Sequence, residues 1–271
     1  TGDFSHYVDD PYVTPGLTRD SVVREVEVVI IGGGFGGMLA AARLRDAGIT
    51  DFMLIEKGGG FGGTWYWNRY PGASCDIEAY VYLPLLEETG FVPRQKYTNA
   101  EETLEYCEVL AQRYRLHEHA LLQTQVRQVV WQESSRRWQV VTDRGDQLQA
   151  RFVIHSNGPL NRPKLPAIKG IDQFKGHTFH TSRWDYAYTG GTTFGDLSQL
   201  ADKRVAVIGT GATAVQCVPH LAASAKALYV FQRTPSSIDV RDNQPTNPDW
   251  ISKQTPGWQK RRQTNFESIP S

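Results

Sequence analysis

A chain of 271 residues with 40% hydrophobic side chains has room for one large domain or two ordinary ones, each with a core. Its 29 Lys and Arg balance its 29 Asp and Glu, which excludes an overall field that would draw it to nucleic acid or to an anionic membrane. Cys75, Cys107 and Cys217 stand far apart with no C-x-x-C pair, so a disulfide framework, a zinc site and a dithiol redox centre are set aside and a reducing cytoplasm is expected. No apolar run approaches the ~18 residues of a bilayer span, and residues 1–20 lack a signal-peptide core, so no membrane partner is expected.

Residues 1–20 are polar, carry Pro11, Pro15 and Gly16, and predict an extended arm. From Val22 the pattern changes to Val26, Val28, Val29, Ile30 and Ile31, an apolar β-branched run that predicts a strand covered on both faces. It ends in a glycine turn at Gly32, Gly34 and Gly37, followed by helix formers from Met38 to Leu44, a stop at Gly48 and a second strand at residues 52–55. Glu56 closes that strand, 24 residues after Gly32. Glycines where a strand becomes a helix let backbone N–H groups approach a pyrophosphate at the positive helix end, and the carboxylate can accept from ribose hydroxyls. A ligand-free glycine turn is the bland alternative, and the acidic residue at this spacing argues against it.

Residues 101–122 predict an amphipathic helix with Leu104, Cys107, Ala111 and Tyr114 on one stripe, which puts Cys107 in the core. Strands follow at 124–132, 138–142 and 147–154, with Asp143-Arg144-Gly145 as a turn, predicting a small antiparallel meander before Asn157-Gly158. Pro159, Pro163 and Pro166 make a stiff connector and mark a domain boundary. The strand, turn, helix, strand order then returns: residues 204–208, Gly209 to Ala214, a helix through His220, and residues 227–231. Counting 24 residues from Gly209 lands on Arg233. A carboxylate there would repel a 2′-phosphate, whereas a guanidinium pairs with one, so the first unit suits FAD or NAD and the second NADP. A solvated surface arginine is the alternative for Arg233.

The fold class expected is α/β, with two Rossmann-like domains of the two-dinucleotide-binding flavoprotein type and a small β-meander. We divide the chain into an arm (residues 1–20), the amino-terminal part of an FAD-binding domain (21–158), a linker (159–190) and an incomplete NADP-binding domain (191–271).

The aromatic and glycine-rich segment Phe61 to Gly72, read through to Asp76, resembles the flavin-contacting stretch of type I Baeyer–Villiger monooxygenases. Phe174, Gly176, His180, Trp184 and Asp185 fill every fixed position of that family's fingerprint, F-x-G-x-x-x-H-x-x-x-W followed by Pro or Asp. Gln232-Arg233-Thr234-Pro235 is similar to its NADPH-phosphate clamp, and the stretch from Ser236 through Asp239, Arg241, Pro245 and Trp258 resembles members that accept bulky cyclic ketones. The resemblance implies FAD at Gly32, Gly34, Phe35, Gly37, Glu56, Lys57, Gly63, Thr64, Trp65, Asp76, Tyr82 and Val126, and NADPH at Gly209, Gly211, Ala212, Thr213, Gln216, Arg233 and Thr234. It implies a ketone and O₂ as substrates, an ester or lactone as product, a peroxyflavin between them, and no metal.

Within that resemblance Asp76 tunes a catalytic arginine. A turn or capping carboxylate is the alternative reading for Asp76. His180 has a structural, conformational role on the linker rather than that of a general base, and Phe174 and Trp184 pack to lock the linker. Two departures stand out: Ser74 where arginine is usual, and Ser156-Asn157-Gly158 for a more usual Ala-Thr-Gly. The catalytic arginine is expected outside these 271 residues, since Arg241, Arg261 and Arg262 do not align with it, and the full-length protein is expected to be a monomer. A flavin-containing N- or S-oxygenating monooxygenase, whose fingerprint lacks the Trp184-Asp185 ending, and a non-catalytic FAD/NADP-binding fragment remain as alternatives. A disulfide reductase would need a cysteine pair.

Overall fold

The computed structural model describes Tyr7 and residues 9–268; residues 1–6 and 8, at the head of the expected arm, and 269–271 lie outside the described residues. In chain order the first elements are β1 (Val23–Ile31), α1 (Phe35–Asp46), β2 (Phe52–Ile55), α2 (Thr64–Trp67), α3 (Ala79–Tyr82), α4 (Leu86–Thr89), α5 (Ala100–Arg113) and β3 (Ala120–Leu121). Then come β4 (Val126–Gln132), β5 (Arg137–Thr142), β6 (Gln147–His155), α6 (Tyr186–Thr189), β7 (Arg204–Ile208), α7 (Ala212–Ser224), β8 (Ala227–Phe231), α8 (Pro248–Ser252) and α9 (Trp258–Glu267). The chain forms two compact units, each built from two separate segments. One takes the chain up to Trp67 together with Leu104–Phe174; the other takes Asn68–Thr103 and everything from Lys175.

The first unit is a six-stranded sheet in the order β3-β2-β1-β6-β5-β4. β1 lies at its centre, parallel to β2 on one side, with Val28 opposite Phe52, and to β6 on the other, with Ile31 opposite His155. Val29 and Ile31 pack with Met53, Ile55 and Leu121 on one face. The alternate residues Val28 and Ile30 are buried too, so both faces are covered, as the unbroken apolar run predicts. The meander is not a separate insert. β6 pairs antiparallel with β5 through residues 147–150 and parallel with β1 along its whole length, so its third strand is a central strand of the nucleotide sheet.

The helix expected over residues 101–122 ends at Arg113. Arg115 takes a φ of 51°, a left-handed conformation that stops a helix. A short turn at Leu116–His119 follows, and Ala120 and Leu121 then join the sheet edge opposite Leu54 and Ile55. Leu116 and Leu121 are buried by this route rather than along a helical stripe, and Cys107 is buried as expected. The arm is fastened to the same unit. Arg19 forms a forked ion pair with Asp146, both contacts at 2.6 Å, and Asp146 also accepts from the Val22 amide and from the Thr142 hydroxyl.

In the second unit β7 and β8 are parallel and in register from Arg204 opposite Ala227 to Ile208 opposite Phe231, with α7 between them. α7 runs past His220 to Ser224 with Pro219 inside it, at the loss of one backbone hydrogen bond. The short helices α3 and α4 owe their position to distant chain. The buried Gln259 side chain on α9 donates to the Tyr80 and Leu83 carbonyls and accepts from the Leu86 amide, and Arg262 pairs with Glu78.

Candidate dinucleotide-binding sites

The first glycine turn is shaped by close backbone approach. Gly32 has a φ of +110°, and a Cβ there would lie 2.6 Å from the Ser156 carbonyl oxygen; a Cβ on Gly37 would lie 1.8 Å from the Gly32 oxygen. Only glycine fits either place. The first turn of α1 has no side-chain cap and no acidic residue, which leaves its N–H groups to an anion at the positive helix end. Gly63, from the aromatic segment, faces Gly34, with room for hydrogen alone between them.

Glu56 is buried at the tip of β2 and accepts from the Gly33 amide at 2.5 Å and the Gly58 amide at 2.7 Å. Burial pushes its carboxyl up, and the Gly58 and Gly33 amides partly offset that. A carboxylate has about four acceptor positions, so the two amides leave capacity for ribose hydroxyls. Lys57 stands over the Trp67 ring at 4.8 Å from its centroid, and Phe35 packs against Tyr106. Trp65, Tyr66 and Trp67 in α2 are buried, so much of the aromatic surface of this segment is spent on packing. Val126 starts β4, opposite Thr142.

In the second unit Gly209 has a φ of +108°, and a Cβ built on Gly209 or Gly211 meets no protein atom within 4 Å. The chain itself does not require glycine at 211, so the room there suits an approaching ligand. The first turn of α7, with Ala212 and Thr213, likewise has no side-chain cap and no acidic residue. Thr210 ties the turn to the loop that carries Arg233, its hydroxyl donating to the Thr234 carbonyl and accepting from the Gln232 side chain. Arg233 itself is exposed.

Asp76 and Tyr82, which the resemblance sets beside the flavin, belong to this second unit, as does His180. Residues 70–76 lie on α7: a Cβ on Gly72 would meet the Gln216 carbonyl oxygen at 2.5 Å, and the Gly72 amide donates to the Thr193 carbonyl at 2.8 Å. The Gln216 side chain accepts from the Tyr70 hydroxyl at 2.8 Å and donates to the Ser74 carbonyl at 2.9 Å and to Asp76 Oδ1 at 3.3 Å. Arg241 forms an ion pair with the same Oδ1 and donates to the Cys75 carbonyl at 3.1 Å. Sequence reasoning missed this partnership, because no spacing signal links positions 76 and 241.

The fingerprint forms a compact knot. His180 Nδ1 accepts from the Ser182 amide at 3.1 Å and caps the short turn Thr181–Arg183. Burial, and then the neighbouring Arg183, hold its pKa below the usual histidine value, so the ring stays neutral at pH 7. Trp184 is buried and donates to the Thr189 hydroxyl at 3.1 Å, and Asp185 caps α6. Phe174, expected to pack and so lock the linker, is instead 63% exposed.

A family model for pyridine nucleotide-disulphide oxidoreductases matches residues 29–256. The chain belongs to this family. Within it, the chain is 56% identical over 271 residues to neopentalenolactone D synthase of Streptomyces avermitilis, covering all of this chain and 46% of that protein. It is 52% identical over 262 residues to Baeyer-Villiger monooxygenase 4 of a Dietzia species, covering 97% and 43%. The structure matches the polycyclic ketone monooxygenase of the fungus Thermothelomyces thermophila with a TM-score of 0.92 at 42% identity, over 99% of this chain and 45% of that one. A steroid monooxygenase bound to NADP matches with a TM-score of 0.76 at 36% identity, over 88% and 44%.

The resemblance to type I Baeyer–Villiger monooxygenases and the two-dinucleotide fold class are thus borne out. The chain spans less than half the length of the relatives it matches. All three cysteines of this chain are free and buried, and burial pushes the Cys75 and Cys217 thiols up to about 11. Among the described residues no helix is long and apolar enough to cross a membrane.

Proposed function

We propose that this chain belongs to an FAD- and NADPH-dependent Baeyer–Villiger monooxygenase that converts cyclic or bulky ketones with O₂ to esters or lactones. The observation that carries the reading is the close match over 99% of the chain to a polycyclic ketone monooxygenase. The fingerprint from Phe174 to Asp185 supports it. The residues of the first turn fit FAD: uncapped helix N–H groups for the pyrophosphate, glycines that admit close approach, and Glu56 for the ribose. The second turn fits NADPH through Gly209, Gly211, Ala212 and Thr213, with the exposed Arg233 and Thr234 for the 2′-phosphate.

Bound at the first turn, FAD would supply acceptance of hydride from NADPH and activation of O₂. The protein's own part is to bind, orient and shield. Residues 21–158 carry the FAD site and residues 191–271 the NADP site, joined by the linker. Lys57, Gly63, Thr64, Trp65 and Val126 would line the flavin nucleotide, and Asp76 and Tyr82 its reacting side. His180, neutral and used as a cap, serves the linker and not proton transfer. The free thiols support a cytoplasmic setting.

The test is a ketone panel on the full-length protein. Flavin absorbance should accompany the purified protein, and a cyclic ketone should speed NADPH oxidation and gain one oxygen by mass spectrometry. An N-oxide from an amine with no ester would favour the N- or S-oxygenating family. Peroxide as the sole product with every ketone would sink the reading.

A further inference from the structure

The cluster around Asp76 is more elaborate than a surface ion pair requires. Two donors from separate elements converge on one oxygen: the Arg241 guanidinium and the Gln216 amide both reach Oδ1. Among the described residues Oδ2 accepts no hydrogen bond. The main chain just before Asp76 is held by the same two side chains. Gln216 bonds the Ser74 carbonyl, and Arg241 bonds the Cys75 carbonyl.

Arg241 is itself anchored. Its guanidinium lies 5.2 Å from the Tyr97 ring centroid, and the residues after it pair with residues 94–97. The Lys96 amide donates to the Gln244 carbonyl, the Thr246 amide to the Arg94 carbonyl, and the Tyr97 amide to the Asn243 side chain. A guanidinium stacked on a ring and rooted in paired backbone loses little further freedom on binding a carboxylate. The cation also stands where this sequence lacks one. Ser74 carries no charge, and an Arg241 nitrogen lies 3.4 Å from its hydroxyl.

We propose that Arg241 is a positioning residue for the oxygenation reaction. With Gln216 it pins Oδ1 of Asp76, leaves Oδ2 as the acceptor presented to the reacting groups, and supplies the positive charge that Ser74 does not. The inference rests on the monooxygenase reading.

The test uses the full-length holoenzyme as wild type, Arg241→Ala, Arg241→Lys and the double variant Ser74→Arg with Arg241→Ala. In Arg241→Ala the share of NADPH oxidation that ends in ester falls by about tenfold, while KM for NADPH holds within about twofold. Arg241→Lys, with charge but no fork, lies between. The double variant recovers part of the loss, which a purely structural role for Arg241 does not allow. Amide hydrogen exchange of residues 73–77, read without ketone, rises in Arg241→Ala. Unchanged exchange and unchanged coupling in both single variants overturn the proposal. A wild type that makes no ester overturns the reaction reading alone, and the exchange result still decides whether Arg241 fixes this loop. Should Arg241→Ala fail to fold, Arg241→Lys carries both readouts, and wild-type behaviour in both overturns the proposal.

Discussion

Asp146 and Glu56 are both buried carboxylates in the first unit, and their surroundings push them in opposite directions. Burial would raise Asp146, yet the Arg19 fork and the Thr142 hydroxyl outweigh it and hold the group at about 2. That lies below the ~3.9 of an unfolded aspartate, so its contribution to stability, about 2 kcal/mol, is complete above pH ~4 and is lost as pH falls toward 2. Glu56 is raised instead, so its ionised form at neutral pH works against folding. On the proposed FAD reading, that cost is offset by the ribose hydroxyls Glu56 would accept from. Asp146→Asn should lose about 3 kcal/mol at pH 7 in urea unfolding, because Arg19 is left without its partner, and should flatten the acid limb between pH 4 and 2. Identical unfolding curves for the two proteins would show that the pair contributes nothing.

At the scale of elements, the two glycine turns separate packing from binding. Gly37→Ala drives a Cβ into the Gly32 carbonyl, so α1 must shift; we expect a loss of about 2–3 kcal/mol in urea unfolding. Gly211→Ala meets no protein atom within 4 Å. It should leave the urea midpoint nearly unchanged and weaken NADPH in a fluorescence titration by about tenfold, the effect of crowding a pyrophosphate. Equal NADPH affinity in Gly211→Ala would remove the turn from the binding site.

These turns were legible because their signals are local: apolar runs, glycines and a charged residue 24 positions on. The end of α5 was not, because Leu121 continues the helical stripe of Leu104, Cys107, Ala111 and Tyr114 as well as it fills an edge strand. Nor were α3 and α4, whose cap and anchor is Gln259, 173 residues from Leu86. The same limit hid Arg241. A carboxylate and a guanidinium 165 residues apart announce nothing to each other in sequence, whereas Glu56 and Arg233 each sit at a fixed distance from their own turn.

At the scale of the molecule, the chain passes between its two units three times. The exposed stretch around Pro163 and Pro166 offers a protease a place to cut. The amino-terminal fragment would then still carry residues 68–103, which belong with the chain after Lys175. We therefore expect a chain nicked there to elute as one species in native buffer and to separate only in denaturant. Two fragments resolving in native buffer would mean that the bonds of Gln259, Arg241 and Arg262 to the early segment do not hold it.

The same interleaving has a cost during synthesis. Residues 68–103 leave the ribosome well before α7, Arg241 and α9 exist to cover them. At roughly 5–20 residues per second the wait is on the order of ten seconds. For that time Leu83 and Leu86, fully buried in the finished fold, are open to water and to other chains, so this early segment is where a nascent polypeptide would most need a chaperone.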